Sequence, residues 1–447
     1  MSLEFVAQGI EGTVFVNVRR ETISISIGTV PSYTFDREGR LFAAYVEGHT
    51  YRRTMDNRVI EKWAQRERGI KRRVRRELPP AEKRAFLEGV YATVERIHRA
   101  LAEGTFRLVD SPRRTADKSR RLDRFSQAPC FNRGLDEIRE ALAQILCWDY
   151  QRLEGERERF LAVYKPIGIL PPDQYMALVL QATEGCSYNR CTFCQFYRDR
   201  RFRIKSTAEF REHIRAVKAL FGRAVGLRKS IFLADANALV IPQRRLLPLF
   251  EAVNEAFVFI PPSLAGSARA RWKAAHPVSF EGVYSFVSAL DALRKSPDDF
   301  RALADLHLRR VYIGLESGDD ALLRFLNKPC TAEDALRAVG TIKAGGVNVG
   351  VIIMTGIGGE QYAADHVART IEVVNAMELG PGDIIYFSEF VEFPGSEYAR
   401  RAAEEGITPL TRERIRAQTE AIKAGLLFPD PPKRPKISVY DIREFSY

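Results

Sequence analysis

The sequence predicts an α/β protein in which six strand–helix repeats build a parallel sheet, open or curled into a partial barrel, behind a smaller N-terminal α+β domain. Three observations carry that expectation. Six short apolar runs, each followed by amphipathic or loop sequence, recur between residues 177 and 388, and repeated βα units pair in parallel because each crossover returns the chain to the same end of the sheet. The first fifty residues instead alternate polar and apolar with period two, the mark of half-buried antiparallel strands. Between the two regions, Lys165-Pro-Ile-Gly-Ile-Leu-Pro-Pro172 is dense in proline and glycine, which suits a linker.

In chain order, Thr13–Asn17, Thr22–Ser26 and Leu41–Val46 read as strands of a meander, with Asp36-Arg-Glu-Gly39 as a turn. From Arg52 to about Trp148 the pattern reads as helical and basic. Lys71-Arg-Arg-Val-Arg-Arg76 falls on a long Arg-rich helix, a second helix opens at Pro79-Pro80, where a missing N–H loses nothing, and a third lies around Leu135–Cys147. Residues 1–165 are therefore expected as the N-terminal domain and 166–400 as the βα domain. Residues 401–447 form a C-terminal helix and a tail that packs back on the body, because Ile437–Tyr440 is too apolar to be free. Strands of the βα domain are expected at Ala177–Thr183, Ser230–Asp235, Gly282–Ser288, Arg310–Leu315, Asn348–Thr355 and Asp383–Ser388. Ser206-Thr-Ala-Glu209 and Thr331-Ala-Glu-Asp334 have the spacing of a capping box, and Gly345-Gly346 stops the second of these helices.

The 447 residues are 45% hydrophobic and 28% charged, a balance that excludes wholesale disorder. The net charge of +12 favours acidic partners without naming one. No run approaches the roughly 18 apolar residues of a membrane helix, and Met1-Ser-Leu-Glu-Phe-Val lacks the basic and apolar regions of a secretory signal. A cytoplasmic protein without membrane attachment is the expectation. Six cysteines are too few for a disulfide framework, and three of them cluster, which in a reducing compartment points to a metal or to catalysis.

The cluster reads Gln181-Ala-Thr-Glu-Gly-Cys186-Ser-Tyr-Asn-Arg-Cys191-Thr-Phe-Cys194-Gln-Phe-Tyr-Arg. Three soft thiolates in one loop ligate zinc, or three irons of a [4Fe–4S] cube. Structural zinc needs a fourth ligand, and the nearest histidine, His213, lies on the following helix; a three-thiolate site with one metal position open is the better match. The loop resembles that of the radical S-adenosylmethionine (SAM) superfamily, which carries three Cys after the first barrel strand with an aromatic before the third, here Phe193. The resemblance extends from about Tyr175 to about Tyr398. It departs from the family in one place, with four residues rather than three between the first two cysteines, Ser187 to Arg190.

The resemblance implies a partial six-repeat (β/α) barrel of the radical SAM type, with a [4Fe–4S] cluster on Cys186, Cys191 and Cys194 and S-adenosylmethionine on the open iron. One electron, from a donor such as flavodoxin or ferredoxin, would then yield a 5′-deoxyadenosyl radical that abstracts hydrogen from an unidentified substrate. It further assigns Asp235 or Asn237, in Ala234-Asp-Ala-Asn237, to the methionine ammonium, although helix capping explains either residue alone equally well. Ser288 goes to the methionyl half, Glu316 with Ser317, in Gly314-Leu-Glu-Ser-Gly318, to the ribose hydroxyls, and Gly356 to the side of the adenine. The glycines from Gly356 to Gly359 do not fit a dinucleotide-binding G-x-G-x-x-G.

Lys328 is placed to pair with an anionic group, against a default of a solvated lysine. Cys330 lies where a thiol could donate hydrogen to a product radical, against the commoner role of a small buried hydrophobe, which also covers Cys130 and Cys147. The basic segment Arg52–Arg76 has Tyr51 and Trp63 among its cations, a composition that grips nucleic acid. Interspersed Asp56, Glu61, Glu67 and Glu77 let salt pairing on a helix face explain it instead, and nucleic acid is the less favoured partner. Two other readings stand beside the leading one: a tRNA- or RNA-modifying radical SAM enzyme docking through the basic domain, and a non-catalytic nucleic-acid-binding metalloprotein with a structural Cys site.

Overall fold

The computed structural model describes residues 1–67, 70–109, 129–445 and 447. They divide into two compact units, the first comprising Met1–Tyr164, Lys218–Leu227 and Tyr447 and the second the rest of the described chain.

The first unit is built on antiparallel strands β1 (Ser2–Ala7), β2 (Thr13–Val18), β3 (Thr22–Ile27), β4 (Ser32–Asp36), β5 (Leu41–Val46), β6 (His49–Arg53), β7 (Val59–Glu67), β8 (Ile70–Glu77) and β9 (Phe106–Leu108). They form one sheet in the order β8-β7-β6-β5-β4-β3-β2-β1-β9, a meander whose last strand returns beside the first. Period-two alternation gives the sheet a dry face: Val14 and Val16 on β2 and Ile23 and Ile25 on β3 are buried. They share a core with Leu87, Val94, Ile138, Leu142 and Leu153 from α1 (Pro80–Glu103), α2 (Pro129–Leu146) and α3 (Tyr150–Val163).

The expected Arg-rich helix does not form; its residues are the hairpin β7–β8. Glu61 on β7 lies in register between Tyr51 on β6 and Arg76 on β8. Its carboxylate accepts from the Tyr51 hydroxyl at 2.8 Å and from Arg76 Nε, and meets the His49 ring at 2.7 Å. At Glu61 the pairing of acids and bases expected along a helix is made across strands instead, and the meander offers β7 an edge to extend.

In the second unit the strands are β10 (Ala177–Gln181), β11 (Thr183–Glu184), β12 (Arg203–Ile204), β13 (Ser230–Ala234), β14 (Val283–Phe286), β15 (Leu308–Glu316), β16 (Asn348–Thr355), β17 (Ile384–Glu389) and β18 (Lys436–Val439). The helices are α4 (Thr207–Phe221, whose residues from Lys218 on are counted in the first unit), α5 (Gln243–Ala256), α6 (Gly266–Ala275), α7 (Ala289–Ala292), α8 (Pro297–Asp305), α9 (Asp320–Phe325), α10 (Ala332–Ala344), α11 (Gly359–Ala376), α12 (Glu397–Glu404) and α13 (Arg412–Gly425). Seven strands make a parallel sheet in sequence order, β10-β13-β14-β15-β16-β17-β18. When every crossover steps to the next strand with the same hand, the helices gather on one face, and the other face is buried by curling on itself. The inner lining shows the curl. Phe232, Phe286, Tyr312, Tyr386 and Tyr440 touch in succession at centroid separations of 5.2, 5.9, 6.5 and 5.6 Å. The hydroxyls of Tyr312 and Tyr386 both donate to Asp173, at 2.6 and 2.7 Å.

All six expected strands of this sheet form, each within two residues of the expected ends. The seventh, β18, was expected only as a packed tail. It is four residues long behind a proline-rich stretch and pairs in parallel with β17. Both expected capping boxes form, at Ser206 with Glu209 and at Thr331 with Asp334. Among the described residues no helix is long and apolar enough to cross a membrane.

Candidate active site

The cysteine loop, residues 185–202, is pinned at its ends by the antiparallel pair β11–β12. Its backbone is held from within. Gly185 adopts φ +77, and a side chain there would meet Arg200 Cγ at 3.2 Å. Asn189 takes the left-handed region at φ +47, which asparagine tolerates; its N–H donates to Cys186 Sγ at 3.3 Å and its side-chain amide to Tyr197 O at 2.9 Å. The Arg198 guanidinium donates to the carbonyls of Cys191 (2.8 Å), Cys194 (3.2 Å) and Asn189, a clasp over a segment with no helix or ladder to satisfy it. The four-residue gap thus contains a stabilised turn at Asn189.

Cys186, Cys191 and Cys194 line one cavity of about 230 Å³ at the carboxyl ends of the parallel strands, where βα folds place their chemistry. Among the described residues no three His, Cys, Asp or Glu side chains are arranged to hold a single metal ion. The three thiols share this cavity, and three soft thiolates in one loop are a donor set that fits three irons of a cubane. Burial pushes the Cys194 thiol up to about 12, so it needs a bound cation to become a thiolate. His213 is no further ligand, because its Nε2 accepts from Gln181 N at 3.0 Å.

The other expected site residues fall into two groups. Phe193, Asn237, Ser288 and Glu316 line the cavity. The Asn237 amide donates to Asp291 Oδ2 at 2.6 Å and to Ser187 Oγ at 3.2 Å, and its oxygen accepts from Ser288 N at 3.3 Å. Ser288 caps α7 and donates to Asp291 Oδ2 at 2.6 Å. Asp291 is the residue that organises this corner; its only sequence signal was a position three residues after a capping serine. Glu316 ends β15 at φ +61, where the pairing with β16 shifts register. Its Oε1 accepts from Lys328 Nζ at 3.3 Å, and Lys328 also donates to Gly314 O at 2.9 Å. Glu316 Oε2 is buried with no hydrogen-bond partner. Lys328 is largely but not fully buried: burial works against its charge, but Glu316 and Cys191 outweigh that and hold the ammonium above the usual lysine range.

Asp235, Ser317 and Gly356 are not among the residues that line the cavity. The Asp235 carboxylate turns to the loop, accepting from Gly185 N at 3.1 Å and facing Arg200 at 3.4 Å, and burial pushes its carboxyl up to about 6. Ser317 is buried against His366 Nδ1 at 2.7 Å. Gly356, at φ +86, donates its N–H to Gln418 at 2.8 Å, while Met354 and Ile352 of the same strand line the cavity. Cys330 is half-buried off the cavity wall, within electrostatic reach of Lys328 and Glu316, and Cys147 is exposed in the first unit. The side chain of Cys130 lies outside the described residues. Arg198, Asp291 and Tyr440 were not anticipated.

Residues 180–371 match the model of the Radical SAM superfamily. No curated protein matches the chain. Solved structures of similar fold include coproporphyrinogen III oxidase (HemN) from Escherichia coli, at 12% identity and TM-score 0.38, covering 59% of this chain and 54% of that one. Methylornithine synthase (PylB) is similar at 15% identity and TM-score 0.36, over 56% of this chain and 63% of the other. The cobalamin-dependent radical enzyme OxsB is similar at 15% and TM-score 0.34, over 61% of this chain and 33% of that one, so the chain spans only part of each relative. The family match begins in β10 and ends in α11, taking in the three cysteines, Asn237, Ser288 and Glu316, so that residues 180–371 form a Radical SAM superfamily domain.

Proposed function

We propose that the chain is a radical SAM enzyme in which Cys186, Cys191 and Cys194 hold a [4Fe–4S] cluster and the cavity beside them holds S-adenosylmethionine. The observation that carries this reading is that the three cysteines and Glu316, whose Oε2 has no hydrogen-bond partner, line one cavity at the carboxyl ends of the strands. When bound, the two cofactors supply one-electron cleavage of the sulfonium to a 5′-deoxyadenosyl radical able to take hydrogen from a substrate C–H bond. The electron comes from a small protein donor of the flavodoxin or ferredoxin kind.

The chain's own residues bind and orient. Arg198 fixes the carbonyls that set the cysteine side chains, and Asp235 anchors the first residue of the loop from below, a positioning role in place of the ammonium contact. Asn237 and Ser288, stiffened by Asp291, present a polar corner to the methionyl half. Glu316, steadied on one oxygen by Lys328, keeps the other for the ribose hydroxyls. Phe193, Ile352 and Met354 give the base an apolar wall and keep water from it.

Anaerobic reconstitution tests the reading. About four irons per chain and a spectral change on adding S-adenosylmethionine are expected, with iron loading lost in Cys186→Ala, Cys191→Ala or Cys194→Ala and kept in Cys147→Ala. Stoichiometric zinc, or a cluster indifferent to S-adenosylmethionine, would overturn it.

A further inference from the structure

We propose that the substrate brings an uncharged, apolar body into the half of the cavity built at the ends of β17 and β18, and that none of its phosphate or carboxylate groups enters there. The proposal rests on the reading of the site as a radical SAM centre and deepens it to a substrate class. The sheet order sets β17 and β18 beyond β16 from β13, β14 and β15. Asn237, Ser288 and Glu316 therefore line one side of the cavity, and the residues that follow β17 and β18 line another.

That second wall is mostly apolar: Val391, Phe393 and Ile442 line it, and Phe196 of the cysteine loop closes on Phe393 edge-on at 6.2 Å. Beside them stand Ser388, Glu389 and the unpartnered Tyr440 hydroxyl, while Phe390 packs in one cluster with Phe193 and Met354. Ring-lined walls of this kind gain from rings and branched chains, by area buried and by edge and face contacts. Charge then decides the class. Although the chain carries a net +12, Lys328 is the only cation on the cavity wall among the described residues, and Gly314 O and Glu316 already occupy it. The remaining charged groups of the wall, Glu316 and Glu389, are carboxylates. An anion placed against the rings would lose hydration and meet no uncommitted cation on the wall itself, which is unfavourable; Arg443, within electrostatic reach of Glu389, is not one of the lining residues.

Naphthylmethanol and naphthoate, alike in shape and different in charge, serve as probes in calorimetric titrations of the full chain, both reconstituted with S-adenosylmethionine and iron-free. The alcohol should bind at least about tenfold more tightly than the carboxylate, a difference that corresponds to about 1.4 kcal/mol. Phe393→Ala should weaken the alcohol several-fold, and Val391→Lys, which puts a cation into the wall, should bring the carboxylate level with it or ahead. Naphthoate binding the unaltered chain as tightly as the alcohol would overturn the proposal, as would no binding of either or an alcohol affinity indifferent to both substitutions. Iron content and the response to S-adenosylmethionine, read on the same samples, report separately on the cluster, so a failed cluster and a failed substrate class give different results.

Discussion

Glu316 stands where β15 slips register against β16, and the slip turns a strand residue into the left-handed region with one carboxylate oxygen taken by Lys328 and the other unpartnered. A buried acceptor without a donor is unfavourable by about 1–3 kcal/mol, a debt that a ribose hydroxyl would remove. Replacing Glu316 by Ala should therefore weaken S-adenosylmethionine binding about tenfold or more, since hydrogen bonds to charged groups contribute about 1.5–3 kcal/mol, while iron content stays unchanged. A calorimetric titration of the reconstituted protein checks this, and unaltered affinity would remove the carboxylate from the cofactor site. One residue along, Ser317 meets buried His366, whose imidazole burial pushes down to about 4. An imidazole with a folded value below its unfolded one near 6.5 binds fewer protons in the folded state between those limits. Its contribution, on the order of 3 kcal/mol, is therefore present above about pH 6.5 and is lost as pH falls towards 4. Denaturant unfolding across that range should show the chain losing stability relative to His366→Asn as the pH drops; a constant difference between the two would show that His366 keeps its proton balance on unfolding.

At the scale of elements, what could be read from the residues was whatever had a local cause. The barrel strands were legible because they are short, largely apolar runs, several of them buried on both sides, as in Leu178–Leu180 and Ile231–Leu233, and the capping boxes because four residues contain the whole interaction. The β7–β8 hairpin was not legible, because Glu61 finds Tyr51 and Arg76 only once three strands are in register. The same limit applies to the site. Three cysteines and Glu316 announce themselves by type and spacing, whereas the displacement of Asp235 from the cavity depends on where Gly185 and Arg200 come to lie. The loop clasp is another contact of that kind, and it can be tested as an element. Arg198→Ala leaves the carbonyls of Cys191 and Cys194 to water, and Arg198→Lys cannot reach three acceptors with one ammonium. Both variants should fold with nearly unchanged melting behaviour and yet lose iron to a chelator several-fold faster than the parent, with Lys no better than Ala. Equal rates of loss in all three would mean that the thiols hold the loop by themselves.

For the whole molecule the open question is whether a net charge of +12 means nucleic acid, and the fold shifts the balance against it. On the basic hairpin, Arg76 is committed to Glu61 and to Glu82 at 2.8 Å, and Arg58 pairs with Asp56 at 2.8 Å. Cations paired in this way offer little to a phosphate chain, because each new contact must first break an old one. Among the described residues the one cation that lines the cavity, Lys328, is already held by Glu316 and Gly314 O. Binding to cellular RNA should accordingly be weak, indifferent to sequence and negligible near 0.15 M salt, where the screening length is about 8 Å. A true docking face would instead retain affinity there and lose it steeply as salt rises further, each neutralised phosphate adding to the slope. A gel-shift series across a salt gradient, run beside a variant with Arg72, Arg73, Arg75 and Arg76 changed to Gln, separates the two. Tight binding at physiological salt that the variant loses would turn the hairpin into an RNA-docking element and the enzyme into an RNA-modifying one; weak binding that the variant leaves untouched assigns the charge to pairing within the sheet.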